Sequence, residues 1–457
     1  MVEMEVSGNA RGAHVLVLPY PAQGHINPML QFAKRLYHKG LRVSLVATVF
    51  LARSMEAETG YISLEFISDG CDEGGYKQAG SIEAHLERFK KIGSQSLRDL
   101  IQKLGNSGRP VDCLVYDSCL PWALDVAKQA GIQGGSFFTL SCAVEAIYYN
   151  VYTGRLSVPV PVEIVSLPGL PELLLSELPS YVSNPDYRPA LLEFAKEQFI
   201  NIQKADWVFC CTADQLEREE VKSLKSNMPL KSIGPMIPSW YVDQRVEDDQ
   251  DYGVSLWKKN GACKEWLDSK DDGSVVYVSF GSIVSLGPLK MEETAGVLKE
   301  SSHYFLWVVR ESEESNLPEK FAEESKEKGI VVRWCSQLEV LSHRAVGCFV
   351  THCGWNSTLE ALTLGVPMVA CPQGCDQPTN AKYIEEVWRV GVRAKIDDEG
   401  IIRREELKKC IKEIMEGERG VEIKRNALKW RKLAKEALEE GGSSDQNIEE
   451  FVTVISG

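Results

Sequence analysis

Residues 334–377 read WCSQLEVLSHRAVGCFVTHCGWNSTLEALTLGVPMVACPQGCDQ. Gly347–Val350 and Pro367–Ala370 are short apolar runs suited to buried strands, and Phe349–Glu360 is a strand running into a helix. Strand, helix, strand is the repeating unit of a parallel sheet covered by helices. The same rhythm continues upstream through Ser274–Phe280, Tyr304–Val309 and Ile330–Arg333. It occurs again, earlier, in His14–Leu18, Arg42–Ala47, Asp112–Tyr116, Gly135–Phe138, Asp206–Cys210 and Leu230–Ile233.

Between the two sets the pattern dissolves at 235–253 into PMIPSWYVDQRVEDDQDYG, two prolines and a dense acidic run, which reads as a linker. A chain of 457 residues is too long for one ordinary core. The expectation is therefore an α/β protein with two parallel-sheet domains in series. The first is placed at 1–236, the linker at 237–255 and the second domain at 256–438. A tail at 439–457, with a Gly-Gly-Ser-Ser break at Gly441–Ser444 followed by an amphipathic helical stretch, is expected to dock on the first domain.

Composition narrows the partners. With 44% hydrophobic and 25% charged residues the chain is globular, and a net charge of −14 argues against nucleic acid or an anionic membrane surface. No run of about 18 apolar residues offers a membrane span. The opening MVEMEVSGNARG lacks the basic and apolar regions of a secretory signal, so a cytoplasmic monomer is expected. The 13 cysteines are odd in number, and Cys113, Cys210, Cys211, Cys348 and Cys371 lie in strand-like runs, which suits reduced, buried thiols. Cys348, His352 and Cys353 lie close together, but no second ligand pair follows at zinc spacing, so no metal is expected.

In open parallel sheets ligands bind beyond the carboxyl ends of the strands. His25 follows the first strand, with Asn27 and Pro28 reading as N-cap and N1 of the next helix. Asp117 follows the strand Asp112–Tyr116. Two readings of this pair stand side by side. Either Asp117 orients His25 as a general base, or the His is a turn residue and the Asp caps the helix at Pro121–Ala130. In the first case the helix start lowers the imidazole pKa while the carboxylate raises it.

The opening segment suits an activated sugar nucleotide. A base can stack on Trp334, a diphosphate can meet the helix start near His352, Gly354, Asn356 and Ser357, and a hexose can be held by Asp376 and Gln377. Glu360 either closes a capping box with Ser357 or grips ribose hydroxyls. Val278–Ser282 supplies a second strand end rich in small residues.

The whole segment resembles the signature box of plant UDP-dependent glycosyltransferases of secondary metabolism. PYPAQGHINPMLQFAKRL at Pro19–Leu36, ISDGCDEGG at Ile67–Gly75, VYDSCLPWALDVAK at Val115–Lys128 and VYVSFGS at Val276–Ser282 extend the resemblance over most of the chain. These phrases look like the subgroup that glucosylates carboxylic acids, phenolics, terpenoids and steroids. The resemblance implies the GT-B fold, two Rossmann-like domains facing across a cleft. It implies Trp334 on uracil, Cys335 contacting the base through its backbone, and Gln337 and Glu360 on the ribose. His352, Asn356, Ser357 and Ser282 are implied at the diphosphate, and Trp355, Asp376, Gln377 and Thr139 at the hexose. His25 and Asp117 correspond to the base and its orienting carboxylate, giving inversion to a β-glucoside without cofactor or metal. Gln377 at the closing position implies UDP-glucose as donor.

Three departures stand out. Gly374 replaces the usual Trp, Cys375 follows it, and Leu140 replaces a Gln. Either these admit a bulky apolar acceptor such as a steroid or triterpenoid, or they are drift. The acceptor pocket is expected in first-domain loops such as Ser141–Thr153 and Ser180–Phe194. The alternative to an enzyme is a UDP-sugar-binding protein without turnover, against which the paired His25 and Asp117 argue. No G-x-G-x-x-G follows the first strand, and neither a G-x-S-x-G elbow nor a P-loop is present.

Overall fold

The structure is a computed structural model and describes residues 12–54, 56–57, 61–246, 248–255, 262–282 and 284–457. The polar N-terminal stretch MVEMEVSGNARG lies outside them, apart from Gly12.

The first sheet has seven strands: β1 His14–Leu18, β2 Arg42–Thr48, β3 Ser63–Ile67, β4 Cys113–Asp117, β5 Gln133–Phe138, β6 Trp207–Cys210 and β7 Leu230–Ser232. Their order is β7-β6-β5-β4-β1-β2-β3, and every pairing is parallel. The second sheet has six: β8 Val275–Ser279, β9 Tyr304–Val308, β10 Gly329–Val332, β11 Val346–Thr351, β12 Met368–Ala370 and β13 Gly391–Arg393. Its order is β10-β9-β8-β11-β12-β13, again all parallel. Two doubly wound sheets in one chain make the GT-B arrangement.

Central strands such as β1 and β4 are buried at every position, because helices cover both faces. Register sets the site. Leu18 pairs with Tyr116, so the chain leaves β1 and β4 side by side. In the second sheet Ser279, Thr351 and Ala370 lie abreast at the strand ends.

The helices packed on these sheets include α1 Gln23–His38, α2 Trp122–Gln129, α3 Cys142–Tyr152, α4 Trp355–Leu364, α5 Glu418–Leu438 and α6 Ser443–Ser456. The stretches expected as pocket loops are largely helical. Residues 142–152 form α3, buried along nearly its whole length, and Pro189–Glu197 is a helix too. Apolar residues at helical spacing won over loop character there.

The acidic connection between the sheets is strapped to α1. Asp249 pairs with Lys34 at 2.6 Å and Asp243 with Arg35 at 2.8 Å, both carboxylates almost without exposure. Val254–Ser255 then pairs antiparallel with Glu56–Ala57 of the first half.

The tail helix α6 returns to the first sheet. Phe451 packs its ring 5.1 Å from Phe209, 5.2 Å from Trp207 and 6.1 Å from Phe32. The Ser444 hydroxyl donates to the Gly234 carbonyl at 2.6 Å. Glu177, fully buried on the first domain, accepts from Arg393 of the second at 2.8 Å. Buried apolar side chains run without a break from one sheet to the other.

Candidate active site

His25 lies in the first turn of α1, which starts at Gln23 with Ala22 as N-cap, five residues before the N-cap expected at Asn27. Pro28 is inside the helix instead of opening it. Proline removes one i→i−4 bond, here the one to the Gly24 carbonyl, and the helix runs through because another donor takes that oxygen. The donor is Asn356 of the second domain, whose Nδ2 lies 2.7 Å from it.

The structure joins the His and Asp that spacing alone left unassigned. His25 Nδ1 is 2.7 Å from Asp117 Oδ2, with Asp117 fully buried. The backbone N–H of Tyr20 donates to the same oxygen at 3.3 Å and that of Cys119 donates to Oδ1 at 3.0 Å, fixing the carboxylate plane. Asp117 does not act as side-chain cap of α2, which starts after Pro121. Burial acts to lower the His25 pKa, but the charge and hydrogen bond of Asp117, helped by Asp376, outweigh it and leave the ring above its ordinary value. A ring protonated at Nδ1 presents Nε2 as the basic nitrogen.

Thr139 lies with this pair, its hydroxyl 3.1 Å from His25 Nδ1. Tyr20 stands over the imidazole at a centroid distance of 5.3 Å, and Phe194 and Phe89 follow at 5.8 and 6.4 Å from Tyr20. His25, Asp117 and Cys119 are the one group of three metal-capable side chains among the described residues. Cys348, His352 and Cys353 do not form such a group.

Across the cleft, α4 begins at Trp355 with Gly354 as N-cap and no side-chain cap, so the Ser357–Glu360 capping box is not formed. The helix starts three residues earlier than that motif requires, which places Ser357 and Glu360 inside it. The His352 ring sits in a slot between two glycines. A Cβ at Gly281 would lie 2.6 Å from Cε1, and one at Gly354 would lie 2.5 Å from Nε2. Burial, then the Arg310 charge, pushes the His352 pKa down to about 4, so the ring is neutral at physiological pH.

Glu360 is 4% exposed, and burial raises its pKa to about 7. Gln337 Nε2 reaches Glu360 Oε2 and the Ser357 hydroxyl, each at 2.8 Å. The Tyr252 hydroxyl donates to Glu360 Oε1 at 2.8 Å. Trp334 is half-buried, and the buried Cys335 thiol faces the Tyr277 hydroxyl at 3.6 Å. Ser282 is exposed, and its carbonyl accepts from Arg310.

At the end assigned to the hexose, burial raises Asp376 to about 6, eased by its own backbone N–H, by Asn380 and by the backbone of Trp355. Asn380 Nδ2 donates to it at 2.7 Å. Gln377 Oε1 accepts from the backbone N–H groups of Gln373 and Gly374 at 2.8 and 3.1 Å. The backbone of Trp355 bonds Asp376. Its indole is 3% exposed and donates to Cys211 Sγ at 3.3 Å.

Gly374 has φ +152 and Cys375 φ +57. The Cys375 carbonyl accepts from Ser180 N–H at 2.8 Å and its thiol lies 2.9 Å from the Tyr181 hydroxyl. Trp in place of Gly374 would therefore strain the backbone as well as fill the cleft. Leu140 packs, partly buried, against the first-domain core.

Tyr252, the glycine slot and the Asn356–Gly24 bond were not legible as site features. Tyr252 sits in a stretch read only as linker. The other two signals, a proline four residues after a glycine and two glycines near a histidine, acquire meaning only once the strand ends are aligned.

A family model described as UDP-glucoronosyl and UDP-glucosyl transferase matches residues 251–437. The chain is 47% identical to mogroside I-E synthase of Siraitia grosvenorii, over 97% of this chain and 98% of the relative. It is 50% identical to UDP-glycosyltransferase 74F2 of Arabidopsis thaliana, with the same coverage of both chains. Among solved structures, Os79 from O. sativa in complex with UDP superposes with a TM-score of 0.93 at 40% identity, over 96% of this chain and all of that one.

Proposed function

We propose that this chain, which belongs to the plant UDP-dependent glycosyltransferases and is a UDP-glucosyltransferase acting on a small plant metabolite, works by a single inverting displacement in which His25 is the base and Asp117 its orienting partner. The observation that carries this is the 2.7 Å contact between His25 and Asp117, on a helix turn bonded through Gly24 to the start of α4.

The acceptor hydroxyl gives its proton to His25 Nε2 as its oxygen bonds to the anomeric carbon. The bond from that carbon to the β-phosphate oxygen breaks, and UDP leaves with the electron pair. The free N–H groups at the start of α4, with Asn356, Ser357 and Ser282, take up that charge. His352, being neutral, contributes a hydrogen bond and no charge. No resident cation is assigned to this step, so activity is expected to survive exhaustive chelation. Trp334 takes the uracil, Cys335 offers backbone to the base, Gln337 and Glu360 read the ribose, and Gly354 lets His352 approach the phosphates. Asp376, Gln377 and Thr139, with the backbone of Trp355, hold the glucose.

Tyr20 beside His25, with Phe194 next to it and the core residue Phe89 behind it, suits an apolar acceptor. Relatives named for a mogroside and for a flavonol, and a solved neighbour holding a trichothecene, span that range. A steroid, triterpenoid or phenolic hydroxyl is the acceptor class we assign. No described helix is long and apolar enough to cross a membrane. We assign a cytoplasmic monomer as the working form on the strong net negative charge, which disfavours anionic membranes and self-association. Incubation with UDP-glucose and a panel of such aglycones tests the reading by a mass gain of one hexose and by the anomeric coupling of the product. No gain with any of them, or an α-glucoside, overturns it.

A further inference from the structure

The carboxylate of Glu360 is held by two donors that come from different parts of the chain. Gln337, in the same segment as the nucleotide-binding residues, bonds Oε2, and Tyr252, from the connection between the domains, bonds Oε1, both at 2.8 Å. Gln337 is itself fixed, its Oε1 accepting from the Tyr277 hydroxyl at 3.2 Å.

The connection that carries Tyr252 does not swing freely. Lys34 Nζ donates to the Asp249 carboxylate at 2.6 Å and to the Asp251 carbonyl at 2.9 Å. The Gly253 N–H closes a turn onto Asp251 Oδ1 at 2.7 Å, with Tyr252 at its tip. Lys34 and Arg35 lie on α1, the helix whose first turn holds His25. A strap anchored on the helix of the proposed base thus delivers a phenol to the carboxylate of the opposite domain.

We propose that Tyr252 is a positioning residue for donor recognition: its hydroxyl sets the Glu360 carboxylate for the ribose hydroxyls, in a frame shared with α1. The inference rests on the assignment of Glu360 to the ribose. An ionised carboxylate offers about four lone-pair sites. Tyr252 and Gln337 occupy one on each oxygen, which fixes the plane and leaves one on each for a vicinal diol. Both bonds also favour the ionised form, against the burial that pushes this carboxyl up to about 7. Without the phenol hydroxyl Glu360 rotates more freely and is protonated more often, and both changes weaken it as an acceptor.

The test compares UDP-glucose with its 2′-deoxyribose analogue in wild type, Tyr252→Phe, Tyr252→His and Glu360→Gln. Tyr252→Phe keeps the ring and loses only the hydroxyl. Its KM for UDP-glucose is expected to rise roughly fivefold to tenfold, the upper range of an ordinary lost hydrogen bond, while kcat and the acceptor KM stay within about twofold. The preference for the ribose donor over the deoxyribose donor, as a ratio of kcat/KM, should fall by a similar factor. Tyr252→His, which retains a donor, should recover part of it. A general structural defect would lower both donors alike and leave the ratio untouched, and that result overturns the proposal. If Glu360→Gln also keeps the wild-type ratio, the ribose assignment itself is wrong and the proposal falls with it. If Glu360→Gln loses the ratio and Tyr252→Phe keeps it, the ribose assignment stands and only the role of Tyr252 fails.

Discussion

The side-chain amide of Asn356 donates across the cleft to the backbone carbonyl of Gly24 at 2.7 Å. The carbonyl is open because the residue four positions on is Pro28, which has no N–H to return. The turn that holds His25 and the helix start assigned to the diphosphate are thereby bonded to each other.

Pro28→Ala supplies the missing N–H. The helix gains an internal bond, and the melting temperature is expected to rise by about one degree, for a stabilisation of about 1 kcal/mol. Sharing the Gly24 carbonyl loosens Asn356, so kcat/KM for UDP-glucose should fall by about threefold, and Asn356→Ala should cost roughly tenfold. Steady-state kinetics beside a thermal melt separate the two effects. A variant that is more stable and equally active would show that the open carbonyl has no bearing on the donor.

The pH dependence comes from the direction of the His25 shift. The base acts in its neutral form, and its pKa lies above the ordinary 6.5, so the acid limb of kcat/KM should fall at a higher pH than for a free imidazole. Asp117→Asn removes the charge that raises it and leaves burial dominant. The limb should then move to lower pH, while the rate drops by roughly three to four orders of magnitude. Asp376, raised to about 6, titrates close by, so the profile reports the cluster and not one group. A limb that stays in place in Asp117→Asn would separate the carboxylate from the proton transfer.

Gly354→Ala isolates the imidazole slot. Gly354 has φ −59, so alanine carries no backbone penalty there, yet its Cβ would lie 2.5 Å from His352 Nε2. The ring must move. The expected result is a loss of about 1–3 kcal/mol in stability and at least a tenfold rise in KM for UDP-glucose, read by chemical denaturation and initial rates. An alanine variant with wild-type KM would show that His352 is not held for the donor.

Leu140→Gln is a cleaner probe of acceptor size than a tryptophan at 374, because Leu140 is partly buried and is not among the residues with positive φ. Restoring an amide should lower kcat/KM for a steroid more than for a simple phenol, by about fivefold. Parallel rates on both acceptors decide it, and an equal change in the two would assign Leu140 to drift.

The buried strands were legible because a strand covered on both faces reads as an unbroken apolar run, and His14–Leu18 coincides with β1 residue for residue. The edge strand Ser63–Ile67 carries no such signature, since an edge exposes alternate residues and SLEFI has no unbroken apolar run. Helix starts were the weak point. Proline at 28 and serine at 357 are common opening residues, but each lies inside its helix, because the strand end and not the capping motif decides where the turn begins. His25 and Asp117 were placed at neighbouring strand ends by topology, while their contact needed the register of β1 on β4. The partners of Glu360 were only half visible, since nothing in an acidic linker marks one tyrosine as bonded across the cleft.

Phe451 has a consequence for how the protein comes into being. Its ring closes the cluster formed by Phe32, Trp207 and Phe209, so the first sheet lacks part of its interior until translation has passed residue 451. Domains generally mature in the order in which they leave the ribosome. Here the half made first is finished last, and the newborn chain must carry an open apolar face while the second half is still being synthesised.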